Sequence, residues 1–204
     1  LRTIPPDAVN QYVLRAQYSA GDGVVAYQDE PGVARNSVTE TYVAAKFYVD
    51  NWRWQGVPFY LRSGKKLKEK LSQITIEFKE PPHLLFPTQS GKLTPNMLIL
   101  YLQPDEGVHW RFEAKVPDTI SDTRSVDMEF HYADSFGTTA IPESYERLLL
   151  DTLTGDASLF TRADEVETAW GLMDPIIEGW NSSSKTCPTT CASSAATSAT
   201  SWRT

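Results

Sequence analysis

The sequence predicts an α+β fold: a large, mainly antiparallel sheet with helices packed on one face, followed by a disordered C-terminal tail. Three observations support this prediction. Short runs rich in β-branched and aromatic residues follow one another up to Tyr132, and no helical pattern separates most of them. The apolar period then becomes helical, and after Trp180 the sequence consists mostly of Ser, Thr and Ala. We therefore predict one domain over 1–180 and a disordered tail over 181–204.

The strands are predicted from alternation and from the turn residues between them. Residues 73–78 alternate strictly and should have one face in water, whereas 96–103 are almost continuously apolar and should lie more centrally. Short connections imply antiparallel pairing. The predicted strands are 12–18, 39–49, 56–61, 73–78, 96–103, 107–116 and 125–132.

Two helices are predicted after the strands. The first covers 142–153, where Pro142 suits the first turn and Gly155 lies just beyond the end. The second opens within 162–167 and runs towards Trp180, with Asp164 as N-cap and Glu167 three residues later in a capping-box pattern. Pro175 is expected to kink or divide this second helix.

Composition limits the class of protein. The 204 residues are 41% hydrophobic and carry a net charge of −7, which argues against a general nucleic-acid binder. No apolar run approaches the roughly 20 residues of a membrane span, so no membrane partner is predicted. Both cysteines lie in the tail, and no signal-peptide pattern is present, which predicts a cytoplasmic protein. Because the chain begins with Leu1 rather than Met, we expect it to begin inside a longer product.

A basic segment after the 56–61 strand is the strongest candidate for a binding site. Five basic side chains fall within nine residues, namely Arg62, Lys65, Lys66, Lys68 and Lys70. One interpretation is a solvated basic turn, since charge runs usually face water. The other is a site for a small anion, held at the end of a rigid strand. The acidic background of the chain favours the second interpretation.

The remaining polar residues give weaker signals. Gln103 ends an apolar strand, so its amide needs partners, which are either backbone groups or a ligand. His83, His109 and His131 are scattered and are interpreted as structural, so no catalytic residue is predicted. Cys187 and Cys191 would make half a metal site, but no second pair exists, so no metal is predicted. No glycine-rich loop joins a strand to a helix, so no dinucleotide fold is predicted in this chain.

Taken together, several blocks resemble the C-terminal domain of glucose-6-phosphate dehydrogenase, in its bacterial form. The longest block is 51–65, which reads NWRWQGVPFYLRSGK. The resemblance covers about residues 9–180, and its order and spacing are specific. The matching blocks are 35–45, 51–65, 102–104, 143–151, 155–156, 159–165 and 169–170.

The resemblance implies a function. Members of this family oxidise glucose 6-phosphate to 6-phosphogluconolactone and reduce NADP, in the pentose phosphate pathway. An N-terminal Rossmann domain binds NADP, and the sheet of the C-terminal domain supports the substrate and forms the contact of a homodimer or tetramer. By the same resemblance, Lys65, Lys70 and Gln103 correspond to residues that contact glucose 6-phosphate.

The chain also departs from the family pattern. The family's catalytic His–Asp pair and its phosphate-binding His–Tyr block correspond to positions before Leu1, so we expect this chain to be inactive alone. Tyr101 stands where an Arg would serve a second, structural NADP, so that site is not expected. The alternative is a non-catalytic, self-associating sheet module that binds a sugar phosphate. An unrelated anion-binding regulatory domain is a third possibility, which the family blocks disfavour.

Overall fold

The computed structural model describes residues 1–21, 23–80, 94–119, 122–137, 144–183 and 189–190. They fold as two units, the first made of 1–69 with 160–204 and the second of 70–159. The strands are β1 Val13–Tyr18, β2 Tyr42–Tyr48, β3 Pro58–Gly64, β4 Ser72–Glu77, β5 Met97–Gln103, β6 Gly107–Lys115, β7 Thr123–His131 and β8 Thr189–Thr190. The α-helices are α1 Val9–Tyr12, α2 Tyr132–Phe136, α3 Ser144–Thr154 and α4 Ala163–Ser183, and short 3-10 helices cover Pro6–Ala8 and Tyr27–Asp29.

The first unit is built on a four-stranded sheet in the order β3-β2-β1-β8. β1 pairs antiparallel with β2, and β2 pairs antiparallel with β3 through seven residues. β8 adds a short parallel pair beside Gln17 and Tyr18. β1 lies between two strands and is almost wholly buried, which makes it the central strand of this unit.

Helix α4 covers one face of this sheet. Val13 and Ala45 are cross-strand partners, and both pack in the same cluster as Ile176 and Trp180 of α4. The helix also lies very close to the N-terminal segment, because a Cβ added at Gly179 would lie 2.5 Å from the Pro6 carbonyl oxygen. On the opposite face, Ala16 and Tyr42 form a second, smaller cluster.

The second unit contains the sheet β4-β5-β6-β7, in which every pair is antiparallel. The register places large apolar side chains from all four strands on one face. The side chains on this apolar face are Ile74, Ile76, Leu98, Leu100, Val108, Trp110, Phe112, Val126, Met128 and Phe130. The opposite, polar face carries charged side chains on β6 and β7, including His109, Arg111 and Asp127.

The structure confirms the predicted α+β class and the mainly antiparallel pairing. Hydrogen bonds divide the strands into two four-stranded sheets, a grouping that alternation along the sequence does not specify. β5 lies inside its sheet, as its continuous apolar pattern predicted, whereas β4 lies at the edge and is exposed on both faces rather than on the one predicted. The short strand β8 lies within the segment predicted to be a disordered tail, most of which is outside the described residues.

The second predicted helix differs in detail. α4 is one continuous helix that contains Pro175, and it extends through Ser183. The predicted capping pair of Asp164 and Glu167 is wrong, because the helix begins at Ala163 and Asp164 lies inside its first turn. The Arg162 backbone N–H instead donates to Glu165 Oε2 at 3.1 Å, which is the reciprocal contact of a capping box two positions earlier in the chain.

Candidate functional site

Lys65 lies directly after β3, and its backbone is fixed by the neighbouring segment. Its backbone N–H donates to the carbonyl oxygen of Thr41 at 2.8 Å. Gly64, the residue before it, pairs with Tyr42 in the β2–β3 register. Lys65 therefore extends the sheet beyond the end of β3, and its side chain is exposed to solvent.

Thr41 is a buried anchor that the sequence analysis did not identify. It is 7% exposed, and its own N–H donates to the Ala16 carbonyl oxygen at 2.9 Å. Its hydroxyl oxygen Oγ1 accepts from the Tyr18 N–H at 3.0 Å. Three hydrogen bonds thus connect the Lys65 backbone to the central strand β1. A threonine just before a strand carries no sequence signal for this role, although it lies within a family block.

The basic segment is also held by packing. A Cβ added at Gly64 would lie 2.7 Å from Cδ2 of the buried Tyr42 ring, so glycine permits the close approach of the two strands. Leu67 packs against the cluster of Ala16 and Tyr42. Burial raises the pKa of the Tyr42 hydroxyl, and the nearby charge of Arg62 opposes this shift. The side chains of Lys66 and Lys68, on either side of Leu67, therefore extend into solvent from an anchored backbone.

The turn between these anchors has an unusual backbone. Lys66 adopts φ 54°, in the left-handed region, which costs a residue with a Cβ about 1–2 kcal/mol. Lys65, Lys66 and Lys68 are exposed, and none of them forms an ion pair with a residue that the structure describes. Their charges are thus available to an anion from solution.

Lys70 and Gln103 lie near one another, at the same end of the sheet of the second unit. Ser72 pairs with Gln103, and Lys70 is only two residues before Ser72. The register shifts between Ser72 and Gln73, an irregularity that changes the direction of side chains at a strand end. The side chains of Lys70 and Gln103 are both exposed. We had expected Gln103 to end a buried strand, but the last two residues of β5 are exposed. The Gln103 amide forms no hydrogen bond with a described residue.

The described pocket does not include these residues. A cavity of about 250 Å³ in the first unit is lined by Arg15, Val38, Thr39, Glu40, Ile177, Trp180 and Asn181. Arg15 is already engaged there, since its guanidinium donates to the Trp180 carbonyl oxygen at 3.3 Å and lies over the Trp180 ring. The structure therefore places Lys65 in the first unit and Lys70 with Gln103 in the second, all on exposed surface.

The histidines predicted to be structural pair with carboxylates on the polar face. His109 Nε2 and Arg111 Nε both lie 2.8 Å from Asp127 Oδ1. The hydrogen bond from Arg111, followed by that from His109, lowers the pKa of Asp127. His131 lies between two carboxylates, and His83 is outside the described residues. Within the described ranges, no group of three metal-ligating side chains is present, and no helix has the length and apolar content to cross a bilayer.

These features define an α+β domain with antiparallel sheets, whose lysines and amide extend from strand ends toward solvent. The family model described as "Glucose-6-phosphate dehydrogenase, C-terminal domain" matches residues 1–202. The chain therefore belongs to the glucose-6-phosphate dehydrogenase C-terminal domain family.

Curated relatives agree with this assignment. The chain is 45% identical over 179 residues to glucose-6-phosphate 1-dehydrogenase 2 of Mycobacterium tuberculosis, covering 85% of this chain and 35% of the relative. It is 42% identical over 186 residues to glucose-6-phosphate 1-dehydrogenase of Bacillus subtilis, covering 88% and 37%. The chain thus spans about a third of the length of these relatives.

Solved structures show the same fold. A glucose-6-phosphate dehydrogenase in complex with its substrate glucose-6-phosphate superimposes with a TM-score of 0.79 at 26% identity, covering 94% of this chain and 43% of the other. Glucose-6-phosphate 1-dehydrogenase from Mycobacterium avium superimposes with a TM-score of 0.72 at 30% identity, covering 94% and 37%.

Proposed function

We propose that this chain is the substrate-holding and self-associating part of a glucose-6-phosphate dehydrogenase. The whole enzyme oxidises glucose 6-phosphate to 6-phosphogluconolactone with reduction of NADP, as a step of the pentose phosphate pathway in the cytoplasm. The observation that carries this proposal is the anchored strand end at Lys65, since Thr41 fixes its backbone while its side chain remains exposed. Family membership and the relative solved with its substrate support it.

The lysines and the amide have separate roles in this proposal. Lys65 and Lys70 bind the phosphate, because an ammonium group forms strong, charge-assisted hydrogen bonds with phosphate oxygens. Gln103 binds a sugar hydroxyl, since its amide offers both a donor and an acceptor. An exposed position suits all three, because the remaining walls of the site come from the rest of the enzyme.

In this proposal, NADP binds to another domain of the enzyme and not to this chain. Apart from the short β8 pair, both described sheets are antiparallel, and no strand followed by a glycine-rich loop and a helix occurs among the described residues. The fold described here therefore does not fit a dinucleotide at a strand-to-helix turn. In this proposal, the chain holds the sugar phosphate while another domain binds the nicotinamide.

We further propose that the protein is a homodimer or tetramer that assembles through its sheet. The second unit exposes apolar side chains from all four strands, among them Ile76 and Met128. Such an extended apolar surface is typical of an interface rather than of a free surface.

Titration with glucose 6-phosphate tests the substrate site. Lys65→Ala and Lys70→Ala should each weaken binding about 10- to 100-fold, because a hydrogen bond to a charged group contributes about 1.5–3 kcal/mol. The measurement is isothermal titration calorimetry of the purified chain, with glucose as the ligand that lacks a phosphate.

Lys68→Ala is the matched control, since it removes the same charge from the same segment. It should change the affinity less than threefold, about the effect of a screened surface charge. Equal losses in all three variants would indicate a diffuse basic patch instead of a site. If the wild-type chain does not bind glucose 6-phosphate, only the self-associating sheet module remains.

The purified chain should not catalyse the reaction by itself. Hydride transfer needs a bound nicotinamide and a base for the C1 hydroxyl proton, and neither is assigned to this chain. The measurement is NADPH absorbance with saturating glucose 6-phosphate and NADP. Turnover above that of a buffer blank would disprove this part of the proposal.

A further inference from the structure

His131 occupies an unusual position at the junction of β7 and α2. Its Nε2 lies 3.0 Å from Glu129 Oε1, in hydrogen-bonding geometry, and its Nδ1 lies 2.8 Å from Asp105 Oδ2. The Asp105 contact does not have hydrogen-bonding angles, so Asp105 acts on the ring mainly through its charge. The ring is 22% exposed. One imidazole therefore connects strand β7 with the turn between β5 and β6.

That turn is the one that begins at Gln103. The turn, residues 103–106, is joined to the end of β7 by a backbone hydrogen bond from the Tyr132 N–H to the Glu106 carbonyl oxygen at 3.0 Å. Gly107 follows the turn and pairs with His131, and a Cβ there would lie 3.0 Å from His131 Nδ1. Tyr101 stacks on the imidazole with ring centroids 5.9 Å apart. The ring is thus closely surrounded on the side of the turn.

Only a doubly protonated ring, which is positively charged, attracts both carboxylates. A neutral imidazole has one N–H, so its second nitrogen presents a lone pair to a carboxylate. At 2.8 Å from Asp105, such a lone pair would repel the turn. The hydrogen bond to Glu129, then the charges of Asp105 and Asp134, raise the pKa of His131, and partial burial opposes them. The charged or titratable groups around the ring are Glu129, Asp105, Asp134 and Tyr101.

We propose that His131 is a positioning residue, which holds the turn after Gln103 against the end of β7 while its ring carries both protons. Its effect on substrate rests on the proposed function, because Gln103 binds the sugar only in that proposal. The effect on the turn itself does not depend on it.

The pH dependence follows from the direction of the shift. A ring whose folded-state pKa is above its ordinary value of 6.5 stabilises the turn fully below pH 6.5. That stabilisation is lost as the pH rises through the folded-state pKa. The turn should therefore be held more tightly in mildly acidic than in alkaline solution.

Two NMR measurements on the full chain test this inference without any ligand. The His131 ring titration should show a pKa above 6.5, which falls in Asp105→Asn and in Glu129→Gln. Hydrogen-exchange protection of the Tyr132 amide, corrected for intrinsic exchange, should decrease at least about fivefold across that titration, the lower end of typical couplings between sites. In Asp105→Asn the pH-dependent step should disappear, and in Glu129→Gln it should remain but move to lower pH together with the ring titration.

Asp127→Asn is the matched control, since it removes a carboxylate from His109 on the same polar face. It should leave the His131 titration and the Tyr132 protection unchanged. A wild-type protection that does not follow the His131 titration would overturn the inference, as would an equal loss in Asp127→Asn. If the Tyr132 protection follows the His131 titration as expected but glucose 6-phosphate does not bind at any pH, the proposed function fails and the inference about His131 stands.

Discussion

At the scale of single residues, Gly64 shows how little space separates β3 from β2. The ring of Tyr42 is buried and occupies the volume in which a Cβ would lie. Gly64→Ala should therefore destabilise the chain by about 1–3 kcal/mol, the usual cost of an extra methyl group in a packed site. The measurement is the free energy of unfolding in urea.

Gly21→Ala is the control for this prediction. A Cβ added at Gly21 meets no atom within 4 Å, so the free energy of unfolding should change by less than about 0.5 kcal/mol. If both variants have the stability of wild type, the strands at Gly64 are not as closely packed as the structure shows.

Sequence patterns locate some functional residues and not others. Lys65, Lys70 and Gln103 could be placed at strand ends from charge, alternation and family blocks, and the structure places all three there. Their roles in binding stay predictions. The contacts of Thr41 and His131 could not be predicted, because they join residues that are far apart in the chain. A local pattern does not record such tertiary hydrogen bonds.

At the scale of elements, periodicity predicted α4 but not its details. Proline removes a hydrogen bond and normally collides with the turn before it, so Pro175 was expected to kink or divide the helix. Gly171 lies four residues before Pro175 in the same helix. The helix continues through Pro175, and its other glycine, Gly179, allows close packing on Pro6. Both outcomes depend on packing, which the apolar period alone does not describe.

The strands show the same limit. The combined pattern of alternation, apolar runs and turn residues predicted β1 to β7. It could not predict the division into two sheets, because that depends on which strand edges form hydrogen bonds. The two residues of β8 are too few to show any alternation, so their parallel pairing with β1 could not be recognised.

At the scale of the whole molecule, the second unit presents large apolar side chains from all four strands on one face of its sheet. Several of its side chains are more than a third exposed, including Ile76, Trp110 and Met128. The sequence predicted that one side of β4 would be wet, but both sides of this edge strand are exposed in the chain. Burying this face would supply the driving force for the proposed assembly.

Neighbouring residues on β4 allow a direct test of that assembly. Ile76 lies on the apolar face and Thr75 on the opposite face of the same edge strand. Ile76→Lys should convert the dimer or tetramer into monomer, because a lysine buried in an apolar interface without a partner loses its hydration. Sedimentation equilibrium of the purified chain measures the change. Thr75→Lys adds the same charge to the same strand and should leave the mass unchanged. Dissociation by both variants would point to an effect of charge on the edge, and dissociation by neither would show that the apolar face is not the contact between copies.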